Sequence, residues 1–156
     1  LEFMFVSVFD ASGDQLGGTL TNADGDYQVT GIPAGDYRLR FSSISLAPFV
    51  SNFAYEFYND KATLAQSETV LVEQGSDTPG IDAEMAPGGS ISGTITDTSG
   101  TPLADVCVLV QEDSLPSLDL SAPANFAITD IAITDATCNY TAGGLRTGSY
   151  RLYFVN

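Results

Sequence analysis

Histidine is absent from this chain of 156 residues, tryptophan is also absent, and lysine occurs once, as Lys61. The lack of histidine excludes Ser-His-Asp and Cys-His nucleophile systems and every His-ligated zinc or iron site. A Ser-Lys dyad would need Lys61, which lies in a polar stretch with nothing to desolvate it. A carboxylate hydrolase would need one acid held protonated by burial, whereas most acids here stand in turn-like sequence. We therefore expect no enzyme and no cofactor.

Positive charge is also scarce, with five Lys and Arg against twenty Asp and Glu and a net charge of −15. This excess repels phosphate backbones and anionic lipid headgroups, so nucleic acid is excluded as a partner. No apolar run reaches the roughly 18 residues of a membrane span, which predicts no membrane insertion. No signal peptide is visible. Because the first residues lead directly into strand-like sequence, we expect a segment cut from a larger precursor.

Short runs of β-branched and aromatic residues, several with period-two alternation, dominate the rest of the sequence. The clearest runs are 4–9, 69–72, 90–96 and 106–110. Turn sequences rich in Gly, Asn and Asp separate them at 11–14, 22–26, 33–36 and 98–102. Strands at this spacing predict an antiparallel β-sandwich. A short helical turn is predicted only at Asp60–Gln66, where Asp60 could act as a cap.

The sequence contains two copies of one pattern. Residues 1–8 match 103–110, and 21–41 match 134–154 without a gap. The second match preserves a set of aromatic, glycine and arginine positions, namely Tyr27/Tyr140, Gly31/Gly144, Gly35/Gly148, Tyr37/Tyr150, Arg38/Arg151, Leu39/Leu152 and Phe41/Phe154. We therefore predict two modules, 1–88 and 89–156, with a boundary near Pro87-Gly88-Gly89.

The two copies are cut out of phase. Copy two opens with 90–97, for which copy one has no counterpart, whereas copy one continues through 53–85, beyond the point where copy two stops. The first module is thus predicted to lack its first strand and the second its last strands. Open sheet edges should result, and we expect strand exchange between copies or chains. Copy two also carries an insertion of about 11 residues within 114–126, either a binding loop or a tolerated surface insertion.

At these repeated blocks the chain resembles the carboxypeptidase regulatory-like domain. The residues that carry the resemblance are 93–97, 100–103, 106–108, 134–140 and 144–150 in copy two, and 24–27 and 31–37 in copy one. The resemblance implies a prealbumin-like, seven-stranded antiparallel β-sandwich, also likened to starch-binding and collagen-adhesin modules. It implies a tandem array in a secreted or surface-attached bacterial protein, with neighbouring modules of the same polypeptide as partners. Such modules mostly serve as spacers, stalks and accessory domains.

The residues Asn22, Asp24 and Asp26 bring several oxygen ligands into one turn, as part of a calcium loop would. The distal bidentate Glu of such loops is missing, and copy two has Thr137-Cys138-Asn139 in place of Asp24-Gly25-Asp26. A structural ion is therefore no shared requirement of the module. A hairpin turn is the alternative interpretation, with calcium as the only candidate ion.

Both cysteines, Cys107 and Cys138, lie in copy two, where copy one has Phe5 and Gly25. Paired appearance in one copy favours a disulfide closing a loop of about 31 residues, worth roughly 3 kcal/mol. Such a bridge would indicate an oxidising compartment. The alternative is two free buried thiols.

Carbohydrate binding usually relies on an exposed aromatic platform. The candidates here are Tyr55, Phe57, Tyr58 and Tyr153. Tyr55 and Phe57 share one parity and Tyr58 has the other, so part of this cluster is predicted to be exposed; core packing is the alternative. Two functions remain open: a non-enzymatic extracellular or cell-surface spacer, stalk or adhesion scaffold, and an accessory polysaccharide-binding module of an attached enzyme.

Overall fold

The computed structural model describes residues 1–43, 52–113 and 130–155. Within these ranges the chain is all-β, as the sequence predicts, with antiparallel pairing throughout and no helix. The ten strands are β1 (Phe5–Phe9), β2 (Gln15–Leu20), β3 (Gly35–Ser42), β4 (Glu56–Phe57), β5 (Val70–Val72), β6 (Gly89–Thr94), β7 (Cys107–Glu112), β8 (Asp130–Ile133), β9 (Asn139–Leu145) and β10 (Tyr150–Val155). The described part of the chain accordingly contains no helix suited to crossing a membrane.

The described residues fall into two compact units. Unit 1 contains residues 1–43 and 54–86, and unit 2 contains 52–53, 87–113 and 130–155. The change of unit at Ala86/Pro87 lies beside the Pro87-Gly88-Gly89 sequence. The predicted insertion at 114–126 lies outside the described residues.

Unit 1 is built on β1 and β3. Its sheet has the order β2-β1-β3-β4, and β5 pairs with the first residues of β3. Alternation along β1 and β3 directs one face of each strand inward, which produces a core cluster of Val6, Val8, Tyr37, Leu39, Phe41 and Val70.

Unit 2 contains two sheets, of order β10-β7-β8 and β6-β9. Alternate residues of β7 and β9 supply most of its core, which consists of Val108, Val110, Ala132, Tyr140, Ala142 and Leu145. Ile91 and Ile95, in and just after β6, pack against this cluster.

The central strands of the two units share one register. In unit 1, Val6 pairs with Phe41 and Val8 with Leu39. In unit 2, the residues at the matching sequence positions pair in the same way, Val108 with Phe154 and Val110 with Leu152. The neighbouring ladder also agrees, since Val6 pairs with Thr19 and Val108 with Ala132.

In both units a buried threonine makes the same two hydrogen bonds to the backbone just before the first central strand, β1 or β7. The Thr21 hydroxyl accepts the Met4 N–H at 2.9 Å and donates to the Leu1 carbonyl at 2.6 Å. The Thr134 hydroxyl accepts the Val106 N–H at 2.9 Å and donates to the Leu103 carbonyl at 3.1 Å. Phe3 and Asp105, which precede the first of these strands, both have a left-handed φ of 59°.

Tyrosine hydroxyls fix the turn before the last matching strand in both units. Tyr37 donates to the Pro33 carbonyl and Tyr150 to the Arg146 carbonyl, each at 2.8 Å. The tyrosine ring lies in the shared frame while its hydroxyl satisfies a turn carbonyl, as expected of a residue with an apolar body and a polar tip.

The predicted helical turn at Asp60–Gln66 is wrong. Asn59 and Asp60 have left-handed φ values of 63° and 58°, which a right-handed helix does not admit. The Lys61 N–H instead donates back to the Phe57 carbonyl at 3.0 Å. Further along, the Ser67 N–H donates to the Thr63 carbonyl at 3.1 Å, which closes a single turn, but no helix forms and Asp60 does not cap one.

Candidate functional site

A groove with a volume of about 1250 Å³ opens into the core of unit 1. Two stretches, 25–34 and 72–83, line it together with core side chains that include Val8, Leu39 and Val70. The Tyr27 hydroxyl donates to the Ile81 carbonyl at 2.7 Å and so joins the two stretches. Val72 ends a predicted strand, but the sequence predicts no element for 73–80, because this glycine- and acid-rich turn sequence has no periodicity.

The electrostatics of the groove disfavour anions. Its lining includes Asp26, Glu73, Asp77 and Asp82 but no lysine or arginine. Burial raises the pKa of Tyr27 to about 12, and the charge of Asp82 acts in the same direction. The Tyr27 hydroxyl therefore stays a neutral hydrogen-bond donor over the physiological range.

Four loops of five residues share one hydrogen-bond pattern, in which the first side chain accepts the N–H groups of the third and fifth residues. These loops are Asp10–Asp14, Asn22–Asp26, Asp97–Thr101 and Asp135–Asn139. The fourth residue of each has a left-handed φ, and these residues are Gly13, Gly25, Gly100 and Cys138. The residue types at these turns thus follow from local backbone geometry.

The predicted metal ligands lie in the second of these loops. The Asn22 side-chain oxygen accepts the N–H groups of Asp24 and Asp26 at 3.0 and 2.9 Å. The hydrogen-bond pattern is the same in loops with fewer acids, so the turn accounts for these residues. Calcium binding at this loop stays a prediction.

Hydroxyl donors lower the pKa of one carboxyl in each of two of these loops. The Ser99 hydroxyl, followed by the Thr101 N–H, lowers the pKa of Asp97, and the Thr137 hydroxyl lowers the pKa of Asp135. Both carboxyls are fully exposed. A lowered folded-state pKa means that these contacts stabilise the loops above the ordinary carboxyl pKa and are lost as the pH falls through the folded value.

The predicted disulfide is wrong, because Cys107 and Cys138 are both free. Alternation along β7 places Cys107 on the face opposite the core residues Val108 and Val110. Cys138 is buried in a turn, at the left-handed position that glycine occupies in the three related loops. Both thiols are free, as in the alternative of two free buried thiols, but only Cys138 is buried and Cys107 is half-buried. The cysteines carry no information on the redox compartment.

We expect the intact mass of the protein to be unchanged by reduction, because no bridge is present to gain two hydrogens. Alkylation of the unfolded, unreduced protein should modify two thiols per chain. If Cys107 and Cys138 can be alkylated only after the protein has been reduced, the free-thiol structure is contradicted.

The predicted aromatic platform is divided. Phe57 is buried, with its ring centroid 6.1 Å from Phe9 and 6.4 Å from Tyr55. The Arg40 guanidinium lies 5.7 Å from the Tyr55 ring centroid, a cation–π geometry. Tyr58 instead packs against the core of unit 1. In unit 2, the Tyr153 hydroxyl donates to the buried Gln111 side chain at 3.0 Å.

The structure thus brings Tyr55 and Phe57 together but separates them from Tyr58, and it keeps Asn22, Asp24 and Asp26 together in one turn. The groove lies along 25–34 and 72–83, whereas the sequence predicts open sheet edges without naming the residues that form them. No family model matches this chain, and neither a curated protein nor a solved structure is significantly similar to it.

Proposed function

We propose that this chain is a non-enzymatic scaffold segment, a tandem pair of carboxypeptidase regulatory-like β-sandwich modules that acts as a spacer, stalk or adhesion support. The larger protein to which it belongs is proposed to be secreted by, or attached to the surface of, a bacterium. The observation that carries this proposal is the shared frame: the same register of central strands, the same threonine anchor and the same tyrosine hydroxyl contact in both units.

The residues that units 1 and 2 have in common support a structural role. Positions that hold the frame agree between the units, as at Val6/Val108 and Tyr37/Tyr150. Polar positions away from the frame agree less well, since Arg38 corresponds to Arg151 but Arg40 corresponds to Tyr153. A repeated binding or catalytic site would need its polar residues repeated, whereas a repeated support needs only its packing.

Mechanical pulling of the whole chain from its two ends tests the proposal. A support made of two modules should resist extension through two separate unfolding events, because each unit has its own core. One cooperative event, or extension without measurable resistance, would contradict a two-module support.

Depletion from solution by insoluble cellulose, chitin and starch distinguishes the scaffold from the carbohydrate-binding alternative. We expect no depletion, because Phe57 is buried and Tyr55 is covered on one face by Arg40. Depletion that the Tyr55→Ala variant abolishes would favour the carbohydrate-binding function instead. A Tyr153→Ala variant serves as the matched aromatic control in the other unit.

A further inference from the structure

We propose that the groove of unit 1 accepts an extended, uncharged β-strand that pairs antiparallel with residues 26–32. The occupant is a strand with the pattern of β6, supplied by another module of the same kind. This inference rests on the shared frame of the two units and does not require the scaffold function.

In unit 2 the segment that aligns with 26–32 is β9, and it is paired with a strand. There β6 pairs with β9, so that Ile91 lies opposite Ala142, Ser92 opposite Thr141 and Gly93 opposite Tyr140. Residues 26–32 of unit 1 align with 139–145 without a gap, with Tyr27/Tyr140 and Gly31/Gly144 identical. The aromatic neighbour of the tyrosine also agrees, since Tyr27 meets Phe41 edge-on at 5.8 Å and Tyr140 meets Phe154 edge-on at 6.1 Å.

In unit 1 the same segment forms no strand. Among the described residues none pairs with 27–32 in a ladder, and no described backbone carbonyl accepts an N–H from this stretch. A segment beside a sheet whose backbone N–H and C=O groups are unpaired can act as an acceptor for β-strand addition.

If unit 1 lacks a strand that unit 2 contains, the apolar residues beside the gap should be less buried in unit 1, and they are. In unit 2, Tyr140, Ala142 and Leu145 are 9%, 0% and 4% exposed. Their counterparts Tyr27, Val29 and Ile32 are only half-buried, and they line the groove. The apolar face that β6 covers in unit 2 therefore stays accessible in unit 1, and covering it is favourable.

A glycine in the incoming strand is favoured opposite Tyr27. A Cβ added to Gly93 would lie 3.1 Å from the Tyr140 ring, closer than side chains normally approach. Since Tyr27 holds the equivalent position, a strand with a larger residue at this point would have to displace its ring by a few tenths of an ångström. The next residue prefers a hydroxyl, because Thr94 donates to the Asn139 side chain at 2.9 Å and the counterpart of Asn139 is the acceptor Asp26.

The size and charge of the groove fit a strand. Its volume of about 1250 Å³ exceeds the roughly 300–1,000 Å³ typical of small-molecule pockets. Four acids and no basic residue line it, so acidic strands are repelled, whereas β6, Gly89–Thr94, carries no charge. The β6 strand of a second copy of this chain is already paired with its own β9, and its release would leave β9 open.

The test is titration of a synthetic, uncharged peptide of residues 88–96, with blocked ends, into the whole chain, followed by calorimetry and amide hydrogen exchange. We expect saturable binding that slows exchange of the amides of 27–32. The matched control is the same peptide with Gly93→Val, which should bind on the order of tenfold more weakly because of the tyrosine contact.

Equal affinity of the two peptides, or no binding, would overturn the proposal. Slowed exchange confined to 139–145 would also overturn it, because the peptide would then be replacing β6 in unit 2. Self-association of the chain that the peptide reverses would assign the groove to a second copy and contradict a separate module as the source. The Val29→Asp variant should lose peptide binding while exchange in 139–145 is unchanged.

Discussion

Replacing Phe41 by alanine is expected to lower the free energy of unfolding of unit 1 by about 3–4 kcal/mol, as is typical when a buried phenylalanine is truncated. Phe41 is 3% exposed and packs in the core with Tyr27 against its edge. The loss combines the transfer free energy of the ring with the cavity that it leaves. Tyr27 and Val29 line the groove, and no described strand pairs with them. Rearrangement of the residues around the cavity would therefore also expose more of these two side chains to water.

The matched control is Phe154→Ala at the equivalent position of unit 2. Phe154 is 55% exposed, so its truncation should cost less than about 1 kcal/mol. Urea unfolding of the whole chain, followed by circular dichroism and by residue-specific hydrogen exchange, separates the two units. Equal losses at the two positions would contradict the difference in burial.

Substituting valine for Thr134 is the second change with a large expected effect. The side chains have the same shape, but valine cannot accept the Val106 N–H or donate to the Leu103 carbonyl. Thr134 is 2% exposed, so water does not replace the lost partners. We expect unit 2 to lose about 2 kcal/mol, in the range for an unsatisfied buried amide.

Thr134→Ser is the control, because it keeps the hydroxyl and loses only a methyl group. It should restore more than half of the stability lost in the valine variant. Thr21→Val should destabilise unit 1 to a similar extent, because its hydroxyl makes the same two contacts. If Thr134→Val and Thr134→Ser are equally destabilising, the hydroxyl contacts contribute little and the anchor is only packing.

The all-β class and the main strands could be predicted because alternation of apolar residues is a local signal. The predicted runs 4–9 and 106–110 contain β1 and most of β7. Residues of the two matching blocks pair in the same register, and a tandem repeat of one module stays a prediction. Apolar alternation and the matching blocks both reflect how the strands pair, which is why the sequence predicts the central strands well.

The disulfide and the helical turn could not be judged from sequence because each depends on backbone conformation at one or two residues. Spacing placed Cys107 and Cys138 in one module, but strand parity decides which face Cys107 occupies. Likewise Asp60 is a good helix cap by type, yet its φ of 58° takes the chain out of the helical region. The missing counterpart of 90–97 predicts an open edge in the first module, but it does not identify the residues that line the groove. The second wall lies mostly in 73–83, which has no periodic sequence signal.

The identical register of the central strands has a consequence for folding. The inward residues of β1 and β7 are valines at the same points, Val6/Val108 and Val8/Val110, so the cores alone do not stop β1 from pairing with the partner strand of the other unit. Mispairing of this kind is a characteristic hazard of chains that contain two similar units. The opposite face distinguishes the two strands, because Ser7 lies across from Arg40 where Leu109 lies across from Tyr153. An exchanged strand would set leucine against arginine and serine against tyrosine, so the difference between the two units favours correct assembly.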